Sequence, residues 1–210
     1  MNSKQKLNVA LAQINPVVGD VAGNAGKILH WASSALSEYQ ADVVVFPELT
    51  LTGYPPEDLL FRQQFLQQVA SAIDMIEQQN PGLTMIFGAV TGIHQQLFNS
   101  AIILQPGKPL QTYAKHCLPN YGVFDEQRYF QPGHDACVVD INGVRLGVTV
   151  CEDIWYPEPC ALSVKSGAQM IVNLNASPFH ASKHSARITQ VKQRVSENKV
   201  PVCYVNMVGG

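Results

Sequence analysis

Ala41-Asp42-Val43-Val44-Val45-Phe46-Pro47-Glu48 is the stretch on which the fold turns. An apolar run rich in branched residues and closed by proline reads as a buried strand, and a carboxylate follows it at once. Upstream, residues 24–39 repeat apolar side chains at helical spacing through Ile28, Trp31, Ala32, Ala35 and Leu36. Before that helix, Leu7 to Ile14 (LNVALAQI) is another short apolar run, closed by Asn15-Pro16 and expected to lie centrally in a sheet. A strand, a helix and a strand in that order predict a parallel pair.

Working downstream, Pro55-Pro56-Glu57-Asp58 suits the first turn of a second helix, whose stripe is Phe61, Phe65, Val69, Ala72 and Ile76. Asn80-Pro81-Gly82 stops it. The period then becomes that of strands over 84–90, 99–104 and 110–113, with a turn at Gln105-Pro106-Gly107-Lys108. A loop rich in Pro, Gly and Asp covers 115–135, and loops of that length inside a compact domain tend to be functional. A hairpin follows, 136–140 and 144–150 across Ile141-Asn142-Gly143. Beyond Cys151, a helix near 159–166, a strand at 170–174, a helix at 182–197 and a strand at 202–205 restore the alternation. No repeat, low-complexity tract or linker intervenes, so residues 1–210 are expected to form one α/β domain whose sheets are covered by helices on their outer faces.

Composition narrows the function. With 14 Lys+Arg against 16 Asp+Glu and 14% charged residues in 210, there is no electrostatic footprint for nucleic acid or an anionic membrane. A hydrophobic fraction of 46% supplies a core and excludes intrinsic disorder. No apolar run approaches the ~18 residues of a membrane span, and no apolar stretch follows the first charges, so a cytoplasmic protein is expected. The cysteines, Cys117, Cys137, Cys151, Cys160 and Cys203, are odd in number and lack a C-x-x-C pair, which predicts reduced thiols. His180 and His184 have i, i+4 spacing but neither an intervening Glu directly after the first nor an obvious third ligand, so no metal site is expected. The segment GDVAGNAGK (19–27) fails as a phosphate loop, because Val21 and Ile28 stand where Gly and Ser/Thr are required.

Three polar residues stand directly after strands: Glu48, Lys115 and Cys151. The carboxyl ends of strands are where α/β sheets bind ligands. A thiol there is poised for nucleophilic attack when a base and a cation lie nearby. Taken singly, a cysteine after Val-Thr-Val also reads as a small core residue, and a lone Glu or Lys at a strand end as a solvated one.

Four strings decide between these readings: FPELTLTGYPPEDLL (46–60), YAKHCLPNYGVFDEQRYF (113–130), GVTVCEDIWYP (147–157) and NLNASPFH (173–180), the last followed by Lys183 and Arg187. Through them the chain resembles the nitrilase (carbon-nitrogen hydrolase) superfamily, and within it the glutaminase domains of glutamine-dependent NAD synthetases. The resemblance implies a nitrilase-like four-layer αββα sandwich somewhat longer than 210 residues, so the chain is expected to end before the last strands. It implies Cys151 as nucleophile, Glu48 as general base, Lys115 as the cation near the oxyanion and Glu126 as the second glutamate beside the lysine. Tyr121, Tyr54, Trp155, Ser177 and Lys183 fall where such domains build the glutamine pocket, with Arg187 as an alternative to Lys183. No cofactor is implied for the hydrolysis. ATP and Mg belong to a synthetase domain whose S-G-G-x-D-S signature is absent from these residues. The implied partners are glutamine as substrate, a C-terminal synthetase domain that takes the ammonia to convert deamido-NAD to NAD, and further copies of the chain in a homo-oligomer. Two other readings stay open: a stand-alone nitrilase-type amidase on another small amide, and a nucleotide-binding or regulatory module whose cysteine is merely buried.

Overall fold

Two sheets packed face to face, with helices on both outer surfaces, make up the computed structural model, which describes residues 6–93, 96–178, 180 and 183–209. Strands β1 (Val9–Leu11), β2 (Val43–Val45), β3 (Thr84–Ile93), β4 (Gln96–Leu104) and β5 (Gln111–Ala114) form the first sheet in that spatial order. β1, β2 and β3 run parallel, and β4 and β5 are added antiparallel. The second sheet pairs β6 (Cys137–Ile141) antiparallel with β7 (Val144–Val150), then β8 (Met170–Asn175) and β9 (Val202–Asn206) parallel to it. Parallel neighbours require crossover connections. They are α1 (Val21–Ser37) and α2 (Gln63–Gln78) in the first half, α3 (Pro157–Lys165) and α4 (Lys183–Asn198) in the second.

Period-two alternation sorts the strand side chains between layers. Val43, Val45, Ile86, Ala101 and Ile103 pack against Val139, Leu146, Val148, Val150, Val172 and Leu174 between the sheets. Their neighbours Val44, Phe46, Met85, Phe87, Ile102 and Leu104 pack instead with Ile28, Ala32, Phe65, Val69 and Ile76 of the first helix layer. On the far side, Ile171 joins Ile154 and Cys160 under α3 and α4. Strands buried on both faces carry unbroken apolar runs, which is why β2 is written Val-Val-Val. The four-layer αββα sandwich is therefore the architecture of this chain.

Three details differ from the sequence reading. β1 is the outer strand of its sheet, not a central one; Leu11 is 43% exposed, and a cleft of about 800 Å³ lined by Trp31, Ala35 and Tyr39 runs along it. An apolar run reports burial of side chains and carries no mark of whether the backbone edge is paired. Phe61 is 62% exposed and off the stripe of α2, because Glu57–Phe61 is a separate 3-10 turn and Arg62 is extended, which resets the helical phase. The first two hairpin strands of the middle run are longer than read, since β3 and β4 pair from Met85↔Leu104 out to Ile93↔Gln96. Ser182, read as the start of the last helix, lies outside the described residues, as do Phe179 and Gly210. Among the described residues, no helix is long and apolar enough to cross a membrane.

The segment after β2 is laid along β3. Phe46 N–H donates to Ile86 O at 2.8 Å, Gly88 N–H to Pro47 O at 3.1 Å, and Leu51 N–H to Gly88 O at 3.0 Å. That approach is possible only because residue 88 has no side chain: a Cβ there would collide with the backbone of Pro47, Glu48 and Leu49. Gly88→Ala is therefore expected to lower the unfolding free energy by about 1–3 kcal/mol, the usual cost of overpacking, as read by equilibrium urea denaturation. A variant as stable as the parent would show that the Glu48 segment moves aside freely.

Candidate active site

Four predicted residues converge where the two sheets meet. Glu48 comes from the loop beyond β2, Lys115 from the end of β5, Glu126 from a 3-10 turn (Glu126–Arg128) in the long loop, and Cys151 from the end of β7. Lys115 is fully buried, and its Nζ reaches Glu48 Oε1 at 2.8 Å and Glu126 Oε1 and Oε2 at 2.8 and 2.9 Å. Burial alone would lower the lysine's pKa, but Glu48 and Glu126, with Cys151, outweigh it and hold the group well above its ordinary value. The site therefore contains a permanent ammonium with two carboxylates.

Cys151 opens a third 3-10 turn, Cys151–Trp155, with φ of 45°, a left-handed conformation that is costly for a residue with a side chain. Its thiol lies within the electrostatic reach of the Glu48 carboxylate. Burial first, then Glu48 and Glu126, push the thiol well above its ordinary pKa, against the pull of Lys115. At neutral pH the sulfur thus holds its proton. Glu48 Oε2 also accepts Ala176 N–H at 3.1 Å, just beyond β8, so this carboxylate is held from both sheets.

The lysine is pinned at its backbone as well as its tip. Lys115 N–H donates to Asn99 O at 2.9 Å and Gly133 N–H to Lys115 O at 2.8 Å, in a place where a side chain on residue 133 would strike Ala114. Asp153, fully buried, ties this strand end to the Cys151 turn. Its Oδ1 accepts His116 N–H and Cys117 N–H at 3.1 and 2.9 Å, and its Oδ2 accepts Val150 N–H and the Tyr113 hydroxyl at 2.9 and 2.7 Å. The sequence reading missed Asp153 and also Asn99, whose carboxamide reaches both glutamates. A signal was present in each case, because a polar residue inside an apolar stretch must find partners once buried.

The expected pocket residues are placed less uniformly. Tyr54 stands with the buried cluster, its hydroxyl donating to Glu126 Oε1 at 2.9 Å. Tyr121 is 56% exposed and donates to Oε1 of Glu152, the buried neighbour of Cys151, at 2.8 Å. Ser177 Oγ accepts from Arg187 Nη2 at 2.9 Å, and Arg187 Nε is buried without a partner among the described residues. Lys183 Nζ lies 5.6 Å from the centre of the Phe124 ring. Trp155 packs on the outer helix layer with Ile154, Cys160 and Ile171. His180 precedes the helix that carries His184, so the two do not share a helical turn, and among the described residues no group of three His, Cys, Asp or Glu side chains could hold a metal ion.

The carbon-nitrogen hydrolase family profile matches residues 8–210. The glutamine-dependent NAD(+) synthetase of Xanthomonas campestris is 41% identical over 206 residues, covering 97% of this chain and 37% of that protein. The enzyme of the same description from Aquifex aeolicus is 42% identical over 208 residues, covering 97% of this chain and 36% of its own length. The chain thus spans little more than a third of these relatives. Among solved structures, the glutamine-dependent NAD+ synthetase of Acinetobacter baumannii in complex with ADP superposes with a TM-score of 0.91 at 36% identity, over 97% of this chain and 39% of that one. The amidase of Nesterenkonia sp. AN1, in a structure showing Michael addition of acrylamide at its active-site cysteine, shares the fold with a TM-score of 0.86 at 23% identity, over 97% of this chain and 80% of that one.

The buried cluster makes a pH prediction. Burial raises the Glu126 carboxyl from 4.5 to about 7; Lys115 opposes this, Glu48 adds to it, and the hydrogen bonds from Lys115 and Tyr54 oppose it. A carboxyl raised on folding costs nothing while both folded and unfolded chains hold the proton. The cost grows as pH climbs from the unfolded value towards the folded one. The unfolding free energy of the parent minus that of Glu126→Gln should therefore fall as pH rises from 4.5 to about 7 and stay level above it. Urea denaturation of both proteins across this range tests it; a difference independent of pH would be the contrary result.

Proposed function

This chain belongs to the carbon-nitrogen hydrolase family, and from that premise we propose that it hydrolyses the side-chain amide of glutamine to glutamate and ammonia. What carries this is the buried Cys151 thiol beside Glu48, which shares one ammonium with Glu126. The names of the relatives that match nearly the whole chain support glutamine as the amide.

Each side chain then has a task. Glu48 takes the thiol proton as the sulfur attacks the amide carbon, so that a protonated nucleophile is activated only with substrate in place. The oxygen of the tetrahedral intermediate gains negative charge and is met by Lys115 and a backbone N–H beside Cys151. Glu48 returns the proton to the leaving nitrogen, ammonia departs, and a thioester on Cys151 remains. Glu48 next takes a proton from water, which attacks the thioester, and glutamate and the free thiol are restored. Glu126 and Tyr54 keep Lys115 in station throughout.

A free amino acid must have both its charges answered. Glu152, buried beside the nucleophile and braced by Tyr121, suits the α-ammonium; Ser177 and Arg187, with Lys183, suit the α-carboxylate. Trp155 supports the turn that carries Cys151. Residues 1–210 act, in this reading, as the glutaminase domain of a longer cytoplasmic, homo-oligomeric enzyme. Its synthetase domain, further along the chain, uses the ammonia with ATP and Mg to convert deamido-NAD to NAD. The glutaminase reaction itself calls for acid, base and nucleophile only.

Cys151→Ala should reduce ammonia release from glutamine by about a thousandfold or more, as deletion of a nucleophile does. With the parent, a panel of short amides should rank glutamine first, and 6-diazo-5-oxo-norleucine should add once, on Cys151, with glutamine protecting. Undiminished ammonia release by Cys151→Ala would refute the mechanism, and a simple aliphatic amide outranking glutamine would favour the stand-alone amidase.

A further inference from the structure

Lys115 does not single out Glu48, since its Nζ lies 2.8 Å from one oxygen of Glu48 and 2.8 and 2.9 Å from both oxygens of Glu126. Two further donors nearly offset each other: Ala176 N–H at 3.1 Å serves Glu48, and the Tyr54 hydroxyl at 2.9 Å serves Glu126. Asn99 is different. Its Nδ2 lies 2.7 Å from Glu48 Oε1 but 3.3 Å from Glu126 Oε2. We infer that Asn99 is a positioning residue that assigns the roles of the two glutamates, one carboxamide N–H fixing the spacing to Glu126 and the other, tighter, holding the Glu48 carboxylate in the place of the base. This rests on the glutaminase reading only in giving Glu48 that task.

Three observations support the assignment. Asn99 is 1% exposed, and its Oδ1 is buried with no hydrogen-bond partner among the described residues. An asparagine retained for packing alone would not leave an acceptor unmet, whereas here the amide has one permitted orientation: turned over, its oxygen would face two carboxylates. Asn99 is also joined to the lysine independently of its side chain, since its backbone oxygen accepts Lys115 N–H at 2.9 Å. Side-chain substitutions therefore leave the lysine's main-chain anchor in place. The groups that face the glutamates from the surrounding elements are Lys115 after β5, Cys151 after β7, Tyr54 before α2 and Tyr204 on β9, together with each glutamate for the other. Asn99 is the neutral donor that reaches both.

The test uses Asn99→Leu, which keeps the bulk, and Asn99→Asp, which keeps the shape but replaces the donor by an acceptor. Two readouts are taken against pH in both variants and the parent: kcat and KM for glutamine hydrolysis, and the rate at which iodoacetamide alkylates Cys151. Loss of the hydrogen bond that orients the Glu48 carboxylate should lower both rates across the whole pH range by about tenfold, the effect of one hydrogen bond to a charged group. At neutral pH kcat should drop about tenfold, with KM for glutamine changed less than about twofold. Folded variants that keep the parent's rates, or that raise KM while keeping kcat, overturn the proposal. If Asn99→Leu does not fold, Asn99→Asp decides. If the parent releases no ammonia from glutamine, the proposed function fails by itself; the alkylation profile needs no turnover and still decides the part played by Asn99.

Discussion

A lysine ammonium with no access to water is the constraint around which this molecule is organised. Moving such a charge out of solvent costs several kcal/mol unless opposite charges and hydrogen bonds meet it at good distances. Lys115 obtains both from Glu48 and Glu126, and the surplus negative charge is in turn met by the amide of Asn99, the hydroxyl of Tyr54 and the N–H of Ala176. Removing any one partner leaves another buried group uncompensated. The cluster is thus satisfied as a whole or not at all.

Its members come from both sheets, so catalytic geometry depends on how the sheets are seated. The lysine, both glutamates and Asn99 belong to the first half of the chain and its long loop; Cys151 and Ala176 follow strands of the second sheet. The apolar layer of Val43, Val45, Ile103, Val148 and Val172 sets the separation between them. Asp153 sets the lateral position, because one carboxylate holds Tyr113, His116 and Cys117 on one side and Val150 on the other. A shift of either sheet would stretch these bonds before it reached the thiol.

What could be read in the sequence divides along the same lines. Alternation of apolar strands and amphipathic helices gave the layers, and Asn142-Gly143, with φ of 52° and 82°, marked the turn between β6 and β7. The residues after β2, β5 and β7 were legible because strand ends are where polar side chains of α/β proteins meet ligands, and the family strings joined Glu126 to them. The outer position of β1 was not legible, since backbone pairing leaves no imprint on side-chain pattern. Nor were the tasks of Asn99 and Asp153. They act through contacts 27 to 51 residues away for the first and 36 to 40 for its ties to Tyr113, His116 and Cys117, which no local period encodes.

The left-handed turn at Cys151 has a chemical cost and a chemical benefit. It belongs to a buried cysteine whose thiol, under the influence of burial and of Glu48 and Glu126, stays in its neutral form. Peroxide and other oxidants act on thiolates that they can reach, and the ladder from sulfenic to sulfonic acid begins with that anion. In the mechanism proposed above, the thiol gives up its proton only when an amide carbon is in place to receive its electrons, and the burial that calls for a base would then also withhold the sulfur from oxidants between turnovers.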